Sequence, residues 1–182
     1  MNIYNVIILD ESGSMSAIYD QALTGINEVL SGIKTRRDRV AIEKVEDFSR
    51  KDYRPGGCTP LYDAMGKTLN TLEGQIHEDD RVMATIITDG YENASEEYSG
   101  KTVKSLVSRL REKGWTFAYI GANQDAVEVA KDLNIDNALN FDATAEGVCK
   151  MSVRFRKAGR KFATLCEAAA PMAMYDKLFE EE

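Results

Sequence analysis

The chain has 182 residues, with 23 basic and 30 acidic side chains and a formal net charge of −7. This length suits one domain, and a composition of 43% hydrophobic and 29% charged residues excludes a mainly disordered chain. The acidic balance argues against the extended basic face that nucleic-acid binding usually needs, although it leaves room for a local basic patch. Its apolar runs are far shorter than the roughly 20 residues that cross a bilayer. We therefore expect neither nucleic acid nor a membrane as a partner.

Cysteine usage and the first residues indicate the compartment. Cys58, Cys149 and Cys166 are too few and too scattered for a disulfide framework. The single histidine, His77, cannot complete a zinc site with them at a recognisable spacing. The first ten residues lack a basic leader and a small-residue cleavage site. These features predict a cytoplasmic protein.

Short apolar runs alternate with amphipathic stretches along the chain. Strands are predicted at Ile3–Leu9, Val82–Thr88, Thr116–Ile120 and Ala138–Phe141. Apolar residues recur every three or four positions in five stretches, 18–33, 61–72, 103–110, 127–133 and 148–162. Such alternation predicts an α/β fold with a Rossmann-like, doubly wound, mostly parallel sheet flanked by helices. We expect the domain to span residues 1–165 and residues 166–182 to form a C-terminal tail.

Three polar clusters are expected at the carboxyl ends of the strands, where doubly wound sheets bind their ligands. Asp10, Ser12 and Ser14 follow the first strand, Thr59 lies in a glycine-rich loop, and Asp89 follows the second strand. Thr59 also has the pattern of a helix N-cap, with Pro60 at the first helical position. Together the clusters offer two carboxylates and three hydroxyls, an all-oxygen set suited to Mg²⁺.

The spacing of the two serines supports this interpretation. Ser12 and Ser14 lie two positions apart in one tight turn that Gly13 permits, so both hydroxyls can point to one ion. Asp10 can bind the serines or metal-bound waters. Because hydroxyl ligands are neutral, such a site leaves the cation short of negative charge, and it would take a carboxylate from outside. That is a recognition device rather than a catalytic one.

These residues stand in an order that resembles a known family. The pattern Asp10-x-Ser12-x-Ser14, then 57–64 (GCTPLYDA), then Thr88-Asp89-Gly90 is similar to the von Willebrand factor A (VWA) domain, over residues 3 to about 162. The resemblance implies a metal-ion-dependent adhesion site (MIDAS) that binds Mg²⁺ or Mn²⁺. It implies direct coordination by Ser12 and Ser14, coordination by Thr59 directly or through water, and mostly water-mediated contacts from Asp10 and Asp89. The implied partner is a protein that contributes an Asp or Glu carboxylate.

One segment departs from the family pattern. Family members carry two further strands between the first helix and the threonine loop, and here only residues 32–57 are available. Residues 40–42 and Val45 supply apolar side chains for about one strand. The sheet is therefore expected to lack one strand, or the sequence to lack a segment.

An enzymatic alternative starts from the same aspartate. Phosphatases and phosphotransferases of the haloacid dehalogenase type also place an aspartate after the first strand and use Mg²⁺, but they need a second aspartate where this chain has Ser12. A serine hydrolase is disfavoured because Gly13-Ser14-Met15 is not a GxSxG elbow and His77 is the only histidine. We expect a protein that is not an enzyme.

Overall fold

The computed structural model describes residues 1–34, 49–122 and 125–180 and shows an α/β, Rossmann-like fold. Four strands form one sheet: β1 (Ile3–Leu9), β2 (Arg81–Thr88), β3 (Thr116–Ala122) and β4 (Asn137–Phe141). Their order in the sheet is β1-β2-β3-β4, and all three pairings are parallel. The predicted fold class is confirmed.

Helices connect the strands and cover both faces of the sheet. The α-helices are α1 (Tyr19–Lys34), α2 (Leu61–Glu73), α3 (Gly100–Glu112), α4 (Ala126–Asp132) and α5 (Ala145–Glu167). Two short 3₁₀-helices cover Gly13–Ile18 and Met172–Lys177. None of the helices in the described ranges is long and apolar enough to cross a membrane.

The core has two main layers because successive side chains of a strand point to opposite faces. On β2, Val82, Ala84 and Ile86 pack under α2, α3 and α4. Met83 and Ile87 face the other way and pack with α1 and α5. β2 and β3 are buried along almost their whole length, which explains why their sequences are continuous apolar runs.

One local prediction is wrong. Thr59 is not the N-cap of α2, because the helix begins at Leu61 and Pro60 occupies the capping position with no side-chain cap bond. Instead, Glu92 and Ser95 accept the backbone N–H groups of Tyr62 and Asp63 at 2.8 and 3.0 Å. A distant loop thus satisfies the start of the helix.

Some predictions fall on residues without a description. The strand expected from residues 40–42 and Val45 lies outside the described residues, as do the side chains of Val29 and Ile33 in the stripe predicted for α1.

The segment predicted as a C-terminal tail packs against the sheet. Tyr175 and Leu178 are each 3% exposed and join the core layer of α5. The buried side chain of Asn137 holds this segment, since it donates to the Tyr175 carbonyl at 2.8 Å and accepts from the Leu178 N–H at 2.7 Å. Residues 166–180 are therefore part of the packed structure.

Candidate metal centre

The two predicted aspartates lie side by side at the carboxyl edge of the sheet. β1 and β2 are parallel neighbours with Leu9 opposite Ile87, so the residues that follow them emerge at the same edge. The Asp10 N–H donates to the Ile87 carbonyl at 2.8 Å and extends this pairing by one bond. Asp10 is 8% exposed and Asp89 6% exposed, so both carboxylates are held away from bulk water.

Ser12 and Ser14 connect these aspartates. Ser12 is the N-cap of the first 3₁₀-helix, and its backbone N–H donates to Asp10 Oδ1 at 2.7 Å. The two serine hydroxyl oxygens lie 3.0 Å apart, and Ser14 Oγ donates to Asp89 Oδ1 at 2.6 Å. A continuous chain of contacts therefore joins the end of β1 to the end of β2.

Thr59 reaches the same place from the loop before α2. It is 4% exposed, and its backbone is paired with Asn93: its N–H donates to Asn93 Oδ1 at 2.9 Å and its carbonyl accepts from the Asn93 N–H at 3.2 Å. A Cβ atom placed on Gly90 would lie 3.6 Å from both Ser14 Oγ and Thr59 Oγ1. Both hydroxyls thus flank the Gly90 backbone, and all five predicted site residues come together.

The donor set fits a small, hard cation. Neighbouring ligands of an octahedral Mg²⁺ lie about 3.0 Å apart when each is about 2.1 Å from the ion, which is the separation of Ser12 Oγ and Ser14 Oγ. Within residues 1–34, 49–122 and 125–180, no group of three or more His, Cys, Asp or Glu side chains could hold a metal. A cation at this edge would therefore depend on hydroxyl ligands.

The centre carries a concentrated negative charge. Burial, followed by the nearby charge of Asp10, raises the pKa of Asp89 above its ordinary value, although the Ser14 hydrogen bond opposes the rise. The same field acts on Tyr53, whose pKa is raised by burial and then by the carboxylates of Asp10, Asp89 and Glu11. A bound cation would relieve this repulsion.

The structure adds residues to which the sequence analysis assigns no role. Thr88 donates to Asp10 Oδ2 at 2.6 Å, so each carboxylate oxygen of Asp10 accepts one hydrogen bond from the protein. Tyr53 donates to the Asp10 backbone carbonyl at 3.1 Å. Thr88 directly precedes Asp89 and could have been suspected, whereas Tyr53 and Asn93 act across 43 and 34 positions and leave no local signal.

An open cleft of about 390 Å³ lies beside the centre. The side chains with polar atoms or a thiol that line it are those of Asp10, Glu11, Ser12, Arg54, Cys58 and Thr59. His77, by contrast, is exposed and lies just before β2, at the opposite edge of the sheet. Among the described residues, the lining of the cleft thus contains carboxylate and hydroxyl oxygens, one guanidinium and one thiol, but no imidazole.

Comparison with known proteins adds no family assignment, since neither a family model nor a curated protein matches the chain.

Proposed function

We propose that this chain is a VWA-type, Mg²⁺-dependent protein-interaction module whose metal centre binds a carboxylate of a partner protein. One observation carries the proposal. Ser14 Oγ contacts both Ser12 Oγ and Asp89 Oδ1, which joins two segments 75 positions apart through oxygen atoms at coordination spacing.

The contacts of each residue support a division of roles. Ser12 and Ser14 present hydroxyls at the spacing of adjacent ligands, so they would bind Mg²⁺ or Mn²⁺ directly. Thr59 would bind it directly or through water. Asp10 already accepts from Ser12 N and Thr88 Oγ1, so it would act mainly through metal-bound water and by orienting Ser12.

The partner follows from the charge of the ligands. Neutral hydroxyls bind a divalent cation without neutralising it, and Asp10 and Asp89 would act mostly at a distance of one water. A carboxylate from outside would complete the coordination and the charge, and the cleft beside Ser12 and Thr59 gives it access. An Asp or Glu side chain on a protein surface has this chemistry.

Two further features support an interaction role in the cytoplasm. The hydroxyls of Ser12 and Ser14 contact oxygen atoms and no histidine, so the described centre offers no base of the Ser–His type. Cys58 and Cys149 are exposed free thiols, as is common in a reducing compartment.

Titration calorimetry of Mg²⁺ and Mn²⁺ into chelator-treated protein tests the proposal. We expect binding of one ion per chain, lost in Ser12→Ala. Ser16→Ala is the matched control, since Ser16 is exposed in the same 3₁₀-helix and outside the centre. Peptides that carry glutamate should then bind only with metal present, and peptides with glutamine in its place should not.

Two results would count against the proposal. Equal Mg²⁺ affinity in wild type and Ser12→Ala would exclude this centre as the metal site. Turnover of a generic phosphate ester that is lost in Asp10→Asn would instead favour the phosphatase alternative.

A further inference from the structure

A five-residue segment, Tyr53 to Gly57, fastens onto the loop that carries the serines. We call residues 53–57 the clasp. The contacts are Tyr53 Oη to the Asp10 carbonyl (3.1 Å), the Arg54 N–H to Glu11 Oε1, the Gly56 N–H to the Glu11 carbonyl (2.8 Å) and the Gly13 N–H to the Gly57 carbonyl (3.0 Å). Four hydrogen bonds therefore join the clasp to residues 10–13.

Tyr53 anchors the clasp in the protein interior. It is 1% exposed and packs in a small core cluster with Met15 and Ile18 of the 3₁₀-helix. Its ring stacks on Tyr19 at 5.5 Å between centroids, and Tyr19 Oη donates to the Tyr53 carbonyl at 3.1 Å. The aromatic ring holds the segment by packing, so the hydroxyl can be removed without emptying its site.

The clasp also leads directly to Thr59. Gly57 has φ +75°, a left-handed conformation that favours glycine, and Thr59 follows two residues later. The clasp is thus bonded to the serine loop on one side and continues into the threonine on the other. Its closure fixes the position of Thr59 relative to Ser12 and Ser14.

We infer that the clasp is the positioning element of the metal centre, that Tyr53 sets its closure, and that a bound cation in turn holds the clasp closed. The inference rests on the proposed function, because it assigns a regulator to the same centre. The physical reason is linkage: a cation that needs all three hydroxyls together binds only the closed form and stabilises that form.

The first test is Tyr53→Phe, with Tyr98→Phe as a matched control, since Tyr98 Oη accepts from Asn70 Nδ2 of α2 at 3.2 Å, outside the clasp and the metal centre. Removal of a group that orients a ligand typically weakens metal binding about 10- to 100-fold. We expect a loss of about tenfold in Mg²⁺ affinity for Tyr53→Phe and no change for the control.

Amide exchange without metal tests the positioning role separately. The Gly13 and Gly56 amides should exchange faster in Tyr53→Phe than in wild type, and Mg²⁺ should slow both in wild type. If Tyr53→Phe binds Mg²⁺ like wild type, the inference is overturned and the proposed function stands. If wild type itself binds no Mg²⁺, the proposed function fails and the inference with it.

A glycine pair keeps the test valid if Tyr53→Phe folds poorly. A Cβ atom at Gly57 or Gly114 would meet nothing within 4 Å, and both glycines have a positive φ, but Gly114 lies after α3, outside the clasp. Gly57→Ala should therefore strain the clasp and weaken Mg²⁺ binding several-fold, whereas Gly114→Ala, with the same kind of backbone strain, should bind normally. Equal affinities in these two variants would contradict the role of the clasp.

Discussion

Replacing Asp89 by asparagine should have opposite effects on stability with and without metal. The amide has the size of the carboxylate and keeps an oxygen that can accept the hydrogen bond from Ser14 Oγ, now 2.6 Å from Asp89 Oδ1. The substitution therefore removes one negative charge from a buried position, 6% exposed, while it preserves the local contacts.

Without metal, Asp89→Asn should stabilise the fold at pH 7. Burial and Asp10 raise the pKa of Asp89, so its charged form is less favourable in the folded chain than in the unfolded one. A raised carboxyl pKa means that stability falls as the pH rises from the unfolded value, about 3.9, through the folded value. Without the charge, the hydrogen bond from Ser14 is weaker by about 1 kcal/mol, and the upward direction of the pKa shift indicates that the relief of burial and of repulsion by Asp10 outweighs this loss.

With Mg²⁺, the order should reverse. A cation present at 100 times its dissociation constant stabilises a protein by about 2.7 kcal/mol. For a chain of this length, that free energy of unfolding corresponds to a rise of about 5–10 °C in Tm. Wild type should show this rise, and Asp89→Asn only a small part of it, because the lost charge is the one nearest Ser14.

Thermal unfolding monitored by circular dichroism, in chelator and in saturating Mg²⁺, measures both the metal-free difference in stability and the rise in Tm on metal binding. The metal-free difference between wild type and variant should shrink as the pH is lowered towards 4, where Asp89 becomes protonated in the unfolded chain as well. An equal rise in Tm for the two proteins on adding Mg²⁺ would refute the role of Asp89, and a metal-free variant less stable than wild type at pH 7 would refute the electrostatic account.

Three further predictions concern the scaffold. Burial alone would raise the pKa of Glu92, but hydrogen bonds from Ser95 and backbone amides lower it. The contribution of the Glu92 carboxylate to stability is therefore present above pH about 4.3 and is lost as the pH falls through its folded pKa. Urea unfolding should show that Glu92→Gln is destabilised by about 1–3 kcal/mol at pH 7 and by less at pH 4. Gly66→Ala should lower stability by about 1–3 kcal/mol, since its Cβ would lie 2.3 Å from the Tyr98 ring, and urea unfolding that matched wild type would contradict this clash. Asn137→Ala should lower the free energy of unfolding by about 3 kcal/mol and speed amide exchange at Leu178, because the buried Tyr175 carbonyl and Leu178 N–H lose their bonds to the Asn137 side chain. Unchanged exchange at Leu178 would contradict the packing of the C-terminal segment through Asn137.

The sequence alone allows the sheet and the two carboxylate positions to be predicted, because a buried strand has a recognisable local pattern of apolar residues. A parallel strand covered on both faces must be apolar at nearly every position, so the runs that end at Asp10 and Asp89 mark both the strands and the edge where they stop. The amphipathic helices are likewise predicted by apolar residues that recur every three or four positions.

Contacts between segments that are distant in the chain have no such local sequence pattern. Glu92 and Ser95 satisfy the start of α2 from 30 positions away or more, so a cap that looked local at Thr59 is supplied from elsewhere. Asn137 is one polar residue at the start of a strand, and only the folded chain shows that it anchors residues 175–178. The sequence therefore predicts whether a residue is buried better than it predicts which distant residue that side chain contacts.

Because the core has two layers, the residues that form the metal centre and the residues that cover the sheet beneath it lie in different parts of the chain. A fragment that ends at Ala122 contains every residue of the centre, and it also contains the β1–β2 pairing. Yet Met83 and Ile87 would be left without Phe155 and Phe162 of α5, which cover that face of β2. A nascent chain must therefore extend through α5 before the edge that carries Asp10 and Asp89 rests on a closed core. Shortened versions of this protein made to isolate the centre would expose an apolar sheet face and be prone to aggregate.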